Sequence, residues 1–215
     1  METFHAQPQW AARLAAAGLA SHAAALAHAG GDCLSEHPDR RMLRETLPSG
    51  ETVFVKQIFR ASPEYLLKQL LAGRAPRVNT EYERRVFDAL AALGFAVPEV
   101  AAWGYRSVCG VQVSGSMVLL PLDGVSLEDY LKTGPAPEAR QNAIARCEAA
   151  LAKLQERGFD WKRHCKPEHF FLMREDPEKI GLIDLESMAM RRAPLGRDAR
   201  EAQFARFRSL LPAGA

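Results

Sequence analysis

The 215-residue sequence lacks a long hydrophobic run, and its charges of opposite sign nearly balance. No apolar stretch approaches the roughly 18–20 residues that cross a bilayer, so we expect no transmembrane helix. The net charge of +2 gives no reason to expect nucleic acid as a partner. The Ala-rich start contains Glu2 and Arg13 and lacks a basic leading segment, so it is not typical of a signal peptide. These absences favour a cytoplasmic protein.

Cysteine also forms no framework. The four cysteines are scattered without a CxxC spacing, at positions Cys33, Cys109, Cys147 and Cys165. This distribution favours free thiols in a reducing compartment over a set of disulfides. The composition, 47% hydrophobic and 25% charged, is typical of a globular chain that is long enough for a substantial core and for one or two small lobes.

Hydrophobic periodicity and turn residues predict an α+β protein. In the first half we expect a helix over residues 8–28, strands over 42–47 and 52–59, helices over 62–73 and 79–93, and a strand over 112–121. In the second half we expect a helix opening at Ser126, a long helix over 136–157, a small hairpin of 170–172 with 180–183, and a last helix over about 198–211. The first half is therefore rich in strands and the second half is mostly helical.

The rest of the chain is organised around residues 161–186. A polar loop leads into the apolar step Phe170-Phe171-Leu172, and a short apolar strand then delivers Asp184 at its end. A polar loop, a small hairpin and an acid at a strand terminus are typical of a site that holds Mg²⁺ against a triphosphate. Upstream, Lys56 lies inside an otherwise apolar predicted strand, TVFVKQIF, and Glu83 lies on a predicted helix.

Each of these residues also has a simpler interpretation. Lys56 could extend from an edge strand into solvent, and Glu83 could be a solvated helix residue. Asp184 could be a turn residue, and His169 could be a hydrogen-bonded core histidine. Three side chains at suitable spacing could share a zinc ion, although a fourth ligand is lacking: His164, Cys165 and His169.

Four arginines lie within about a dozen residues: Arg74, Arg77, Arg84 and Arg85. One interpretation is a solvated helix face. The other is a surface that contacts an anionic substrate or an anionic membrane. The sequence does not decide between the two.

The order and spacing of these segments resemble protein-kinase-like folds, and in particular the bacterial lipopolysaccharide kinase family (the Kdo/WaaP and InaA group), which phosphorylates core sugars of lipopolysaccharide. The resemblance covers roughly residues 40–211 and is carried by the segments RRMLRETLPSGETVFVKQ, NTEYERRVFDALAALGFAVPEV, HCKPEHFFL and IGLIDLE. It implies a single kinase-like domain over 1–215. Within it we expect a helical extension over 1–38, an N-terminal lobe over 39–122 and a reduced helical C-terminal lobe over 123–215.

The resemblance implies roles for residues in the first half. Lys56 would contact the α and β phosphates of ATP, with Glu83 as its helix partner and Glu81 as the alternative in the helix register. A carboxylate beside the ammonium would fix its position and keep it charged. Leu119 and Leu120 would contact the adenine.

The resemblance also implies a metal site in the second half. Asp184 would bind Mg²⁺, His169 would take the position of the kinase Asn ligand, and Glu186 would add a second oxygen. Asp198 would match the aspartate that supports the catalytic loop from the next helix. The expectation on which the rest depends is that Lys56 and Asp184 converge on one cleft that can take a polyphosphate.

One departure from the kinase pattern concerns catalysis. Placing His169 at the Asn of H-R-D-x-x-x-x-N puts His164 where the catalytic Asp should be, and no G-x-G-x-x-G precedes Lys56. A neutral His164 could accept a proton, but it supplies no negative charge. Asp160 and Glu168 are alternative bases.

The resemblance leads to three hypotheses. The first is an ATP- and Mg²⁺-dependent kinase that acts on lipopolysaccharide core or another lipid-linked sugar, with peripheral contact to the inner face of the inner membrane. The second is a pseudokinase that keeps the fold and binds nucleotide without transferring phosphate. The third is a small-molecule kinase of the same superfold.

Overall fold

The computed structural model describes residues 1–71, 73 and 75–212. The chain divides into two compact units. The first comprises Met1–Arg85 and Pro98–Pro121, and the second comprises Val86–Val97 and Leu122–Ala215. Within the described residues no helix is long and apolar enough to cross a membrane.

The first unit is built on a six-stranded antiparallel sheet. Its strands are β1 (Glu2–Ala6), β2 (Asp32–His37), β3 (Arg40–Thr46), β4 (Thr52–Ile58), β5 (Val100–Val108) and β6 (Val111–Leu119). Their order in the sheet is β1-β5-β6-β4-β3-β2. Its helices are α1 (Pro8–Ala16), α2 (His22–Ala27), α3 (Pro63–Leu71) and the start of α4 (Asn79–Ala91). The predicted strands at 42–47 and 52–59 and the predicted helices at 62–73 and 79–93 are confirmed.

Strand β4 lies near the middle of this sheet because alternate residues of its sequence are apolar. Val53 and Val55 are buried in a cluster that Trp10 and Leu14 of α1 also enter. Burial of each such side chain contributes about 1.5–3 kcal/mol. The next residue, Lys56, points to the opposite face of the strand. Its neighbours on the paired strands are Met42 of β3 and Met117 of β6.

The N-terminal segment differs from the prediction of one helical extension over residues 1–38. The helix expected over 8–28 is two helices, separated near Gly18, whose φ of +75° ends the first one. Strands β1 and β2 form the two edges of the sheet. Strand β2 is exposed along its whole length, so its sequence carries no alternation of apolar and polar residues that would have predicted it.

A glycine sets how closely α4 approaches the sheet. A Cβ atom on Gly115 of β6 would lie 2.2 Å from the Thr80 hydroxyl oxygen and 2.7 Å from Val78. The first turn of α4 therefore packs directly on the backbone of β6. This contact fixes the height at which Glu83, one turn further along, faces the sheet.

The described part of the second unit combines the end of α4 with two small sheets and further helices. Its strands are β7 (Gly124–Ser126), β8 (Phe159–Asp160), β9 (Phe170–Met173), β10 (Ile180–Leu182) and β11 (Ala189–Met190). One sheet has the order β10-β9-β7 and the other pairs β11 with β8. The helices are α5 (Leu127–Lys132), α6 (Pro137–Glu156) and α7 (Arg197–Ser209), with short 3-10 turns at Lys162–His164 and Pro167–His169. The predicted helices and hairpin of this half are confirmed.

Aromatic residues form part of the core of the second unit. The Trp161 and Phe170 rings lie 5.2 Å apart, and Phe207 of α7 meets Phe170 edge to face at 5.1 Å. All three side chains are fully buried. This packing joins the polar loop to the last helix and to the hairpin of β9 and β10.

Burial of His22 makes the stability of the protein dependent on pH. Its ring nitrogens lie 2.8 Å and 3.0 Å from the hydroxyls of Ser116 and Ser114. Burial lowers the pKa of His22 below 6.5; Glu2 opposes this effect and Arg106 adds to it. The unfolded chain binds a proton as the pH falls through about 6.5. The stabilisation is thus complete above that pH and is lost as the pH falls towards the folded-state pKa.

We therefore expect the wild type to lose more free energy of unfolding between pH 7.5 and pH 5.5 than His22→Gln, whose amide can still bond to the serines. Urea denaturation at the two pH values measures both losses. Equal losses in the two proteins would contradict this account.

Candidate active site

Lys56 and Glu83 form a buried ion pair in the first unit. The Lys56 Nζ atom lies 2.6 Å from Glu83 Oε2, and the two side chains are 14% and 2% exposed. A pair so removed from water is held by strong electrostatic attraction, and loss of either partner leaves the other as a costly buried charge. The geometry thus fixes the position of the Lys56 ammonium.

Glu81 lies in a different environment. Its carboxylate contacts Arg84 and Arg85, each at 3.0 Å, and Arg77 at 3.5 Å. Burial raises the pKa of Glu81, but the hydrogen bonds from Arg84 and Arg85 outweigh it and lower the pKa overall. Glu83 is therefore the residue that contacts Lys56.

The contacts of Glu81 also define the environment of the arginine cluster noted in the sequence. Arg77, Arg84 and Arg85 are all bonded to Glu81, and Arg84 also lies over the Trp103 ring, with its guanidinium carbon 4.4 Å from the ring centroid. Arg74 lies outside the described residues. Three of the four arginines thus have a structural role in the first unit.

Leu119 and Leu120 lie where β6 ends. Leu119 is 6% exposed, whereas Leu120 is partly buried and packs against the main core cluster of the first unit. The Leu120 N–H donates to the Glu99 carbonyl at 2.9 Å. Contact of these two residues with adenine stays a prediction.

In the second unit, Asp184 follows β10 in an unusual backbone conformation. Its φ is +55°, a left-handed value that non-glycine residues adopt at an energetic cost. The Trp161 indole N–H donates to the Asp184 carbonyl at 3.4 Å, and the next residue back, Ile183, donates to the His169 carbonyl at 3.1 Å. These contacts hold the Asp184 carboxylate in place while it is 48% exposed.

His169 is buried beside Asp184. Its Nδ1 atom lies 2.9 Å from the His164 carbonyl, and its Nε2 atom lies 3.4 Å from Asp184 Oδ2 and 3.3 Å from Glu168 Oε1. Burial lowers the pKa of His169, although the carboxylates of Asp184 and Glu168 oppose the shift. A neutral ring that donates from Nδ1 carries a lone pair on Nε2, next to acidic oxygens.

Glu186 is the third metal ligand predicted from the sequence, but it is not part of a preformed metal site in the structure. It is half-buried in the turn that follows Asp184. Among the described residues, no three His, Cys, Asp or Glu side chains are arranged to hold a metal ion. The structure brings together two of the predicted ligands, His169 and Asp184.

The zinc interpretation is wrong for the same reason. It included Cys165, whose side chain is buried and whose pKa is raised to about 12 by that burial.

His164 lies in the 3-10 turn that precedes His169. Its side chain is half-buried, its backbone carbonyl accepts the His169 Nδ1–H, and no hydrogen bond to its ring is present among the described residues. His164 therefore orients His169 through its backbone, and its ring is available for other contacts.

Asp160, an alternative base in the sequence analysis, makes several structural contacts. It is 4% exposed, accepts from Gln203 Nε2 at 2.7 Å and from the Lys162 N–H at 3.0 Å, and pairs with the Arg191 guanidinium. Gln203 thus makes the contact from α7 that was expected of Asp198, which is exposed in the first turn of that helix. The partners of Asp160 lie up to 43 residues away in sequence, so no local pattern indicated them.

Sequence reasoning also missed Trp161 as a residue of the site. Its ring is fully buried, lies 5.6 Å from the His169 ring and donates to the Asp184 backbone. A tryptophan directly before a run of three polar residues was the available signal, because a large apolar residue there is expected to anchor the loop.

A sheet with a buried lysine–glutamate pair, followed by a hairpin that ends in an exposed aspartate, belongs to the class of protein-kinase-like folds. The model of the lipopolysaccharide kinase (Kdo/WaaP) family matches residues 25–211, so the chain belongs to that family. This confirms the resemblance inferred from the sequence.

Solved structures agree on the fold. WaaP in complex with acyl carrier protein is 21% identical, with a TM-score of 0.61 and a match over 83% of this chain and 70% of that one. The Rio2 kinase from Chaetomium thermophilum is 15% identical, with a TM-score of 0.50 over 82% of this chain and 52% of its own. Comparison with curated proteins gives no significant match.

Substitutions of Lys56 and Glu83 test the part of the candidate site that lies in the first unit. We expect Lys56→Met and Glu83→Gln each to lower the free energy of unfolding by about 3–5 kcal/mol, because each substitution removes one charge of a buried ion pair. The double variant should lose less than the sum, with a coupling of about 1–3 kcal/mol in urea denaturation.

The pair Lys68–Glu64 on α3 is a matched control. Its nitrogen and oxygen are also 2.6 Å apart, but its side chains are 71% and 76% exposed. The corresponding substitutions there should couple by only about 0.3–0.5 kcal/mol. Equal coupling in the two pairs would show that burial does not strengthen the Lys56 contact.

Proposed function

We propose that this protein is a kinase that uses ATP and Mg²⁺ to phosphorylate a sugar hydroxyl of lipopolysaccharide core. Membership of the lipopolysaccharide kinase (Kdo/WaaP) family supports the substrate class. The observation that carries the proposal is the buried Lys56–Glu83 pair, because it maintains a fixed positive charge of the kind that kinases use on the α and β phosphates.

Lys56 serves in this proposal as the phosphate-binding cation. Glu83 holds its ammonium in place before nucleotide arrives, so little side-chain entropy is lost on binding. The proposal requires Lys56 and Asp184 to act on the same nucleotide.

The residues around Asp184 fit a magnesium ion that nucleotide helps to bind. Mg²⁺ is usually held by one or two protein oxygens together with phosphates and water, so a complete protein cage is not required. Asp184 supplies the exposed carboxylate, and the His169 Nε2 lone pair faces it. The bound ion would neutralise charge on the transferred phosphoryl group. The chain's own residues orient that carboxylate, through Trp161 and the strained backbone.

A lipid-linked acceptor would bring the protein to the inner face of the inner membrane. Lipopolysaccharide core is attached to a lipid, so peripheral contact with the membrane surface is part of the proposal. Basic side chains of the first unit would contact that anionic surface, although three of its arginines also bond to Glu81.

Nucleotide binding has a clear expected signature. ATP at about 100 times its dissociation constant should add about 2.7 kcal/mol to the free energy of unfolding of the wild type. Lys56→Met should weaken ATP binding by at least about tenfold, or 1.4 kcal/mol, because it removes the phosphate-binding charge. In Asp184→Ala the effect of added Mg²⁺ on ATP affinity should disappear.

Thermal-shift and calorimetric titrations with ATP, with and without Mg²⁺, measure these changes. Asp176→Ala is the matched control, since it removes an exposed carboxylate from the turn between β9 and β10. A wild type that binds no ATP, or an Asp184→Ala protein with an unchanged response to Mg²⁺, would contradict the site assignment.

A second candidate function is that of a pseudokinase, and the residue that favours it is His164. A neutral imidazole can accept a proton but cannot supply the negative charge of the usual aspartate. On this alternative the protein binds nucleotide at the same residues and acts as a regulatory module.

Phosphate transfer to lipopolysaccharide core separates the two functions. The kinase proposal expects the wild type to transfer phosphate from ATP and Asp184→Ala to be slower by at least about 100-fold, while Asp176→Ala is unchanged. An inactive wild type together with an active His164→Asp variant would establish the pseudokinase instead.

A further inference from the structure

The second unit contains a cavity whose lining residues have no role in the proposed kinase function. Its volume is about 600 Å³, within the range of small-molecule sites, which is about 300–1,000 Å³. Strands β7 and β9 and helices α5 and α6 contribute to its wall. The lining residues that matter for its chemistry are Val125, Tyr130, Ala139, Arg146, Leu172 and Arg174. None of them belongs to the candidate active site.

The unusual feature of this cavity is Arg146 of α6. Its Nε and Nη2 atoms are buried, and neither has a hydrogen-bond partner among the described residues. Buried donors are normally paired, and a guanidinium keeps its charge at any physiological pH. Two buried donors of one charged group therefore lack an acceptor.

Other arginines of the second unit show that this is not typical of the fold. Arg191 pairs with Asp160, Arg208 with Glu148, and Arg140 with the Pro212 carbonyl. Each of these guanidiniums has an acceptor within the protein. Arg146 lines the cavity, and its Nε and Nη2 atoms have no such acceptor among the described residues.

The charges around the cavity leave it positive. Glu138 also lines it, but none of the ion pairs among the described residues joins Glu138 to Arg146. Arg174 adds a second positive charge, and it is exposed and lies 3.4 Å from Asp123, outside the lining. An anion in the cavity would thus meet two guanidiniums and one carboxylate.

The remaining wall is apolar or aromatic. Val125 and Leu172 face each other across paired strands, Ala139 adds a small side chain from α6, and Tyr130 adds a ring from α5. Such a wall stabilises a ligand with an apolar body, while a guanidinium binds carboxylate or phosphate through two parallel hydrogen bonds.

We propose that this cavity binds a small organic anion, a carboxylate or a phosphate monoester with an apolar group, and that Arg146 is its anion-binding residue. The inference concerns a second site and does not depend on nucleotide binding at Lys56. The Arg146 guanidinium supplies the positive charge that binds the anion, and the apolar body lies against Leu172 and Val125.

Titration of the nucleotide-free protein with four probes tests the proposal. Phenyl phosphate and benzoate combine an anion with an apolar ring, inorganic phosphate lacks the ring, and benzyl alcohol lacks the charge. We expect calorimetry and thermal shift to detect phenyl phosphate or benzoate, with inorganic phosphate weaker by at least about tenfold and benzyl alcohol without effect. The preferred probe of the first two identifies the anion as phosphate or carboxylate.

Three variants locate the binding. Arg146→Gln should weaken the anionic probe by at least about tenfold, whereas Arg206→Gln, an exposed arginine on α7, should not. Asp184→Ala should bind the probe as the wild type does, which separates this cavity from the proposed nucleotide site. Ala139→Trp, which fills the cavity from an exposed position of α6, should abolish binding and serves as the test if Arg146→Gln does not fold.

The stability of the ligand-free protein separates a binding role from a structural one. Because the buried donors of Arg146 lack partners, Arg146→Met should leave the melting temperature of the ligand-free protein unchanged or raise it, while it abolishes the shift produced by the probe. The proposal is overturned if no anionic probe binds, if Arg146→Gln and Ala139→Trp both bind as the wild type does, or if Asp184→Ala alone abolishes binding.

Discussion

The buried ion pair between Lys56 and Glu83 is the interaction on which the first unit depends for any function as a kinase. Taking both charges out of water is costly, and the cost is offset only when the two groups meet in good geometry. The strand that carries Lys56 and the helix that carries Glu83 must therefore hold a fixed separation. Gly115 supplies that constraint, because a side chain at this position would push the first turn of α4 away from the sheet.

The corresponding constraint in the second unit is the placement of Asp184. A left-handed backbone, a hydrogen bond from Trp161 and the packing of His169 all act on one carboxylate that stays partly exposed. Strain of this kind persists only where the surroundings impose it, and it is concentrated at functional sites. The buried Asp160 also stabilises the loop that precedes His169, because it accepts hydrogen bonds from Gln203 and Arg191.

Local pattern explains which parts were predictable from the sequence. Lys56 interrupts an apolar strand and Asp184 ends one, so each was marked by its neighbours. Glu83 was predicted only together with Glu81, because two residues that differ by two positions on a helix point about 200° apart and only packing tells which one faces the sheet. The edge strand β2 and the contacts of Asp160 carry no local mark, because they depend on partners distant in the chain.

His164 and His169 show how the loop can depart from the kinase pattern without losing its geometry. The contact that positions His169 comes from the His164 backbone carbonyl, which any residue at position 164 would supply. The side chain at that position is thus not involved in the support of His169. Since phosphoryl transfer depends mainly on positioning and charge neutralisation, replacement of the usual aspartate changes proton acceptance and local charge while Asp184 and His169 stay in place. If the protein transfers phosphate as proposed, a substitution at position 164 can therefore change the rate of transfer without changing the fold.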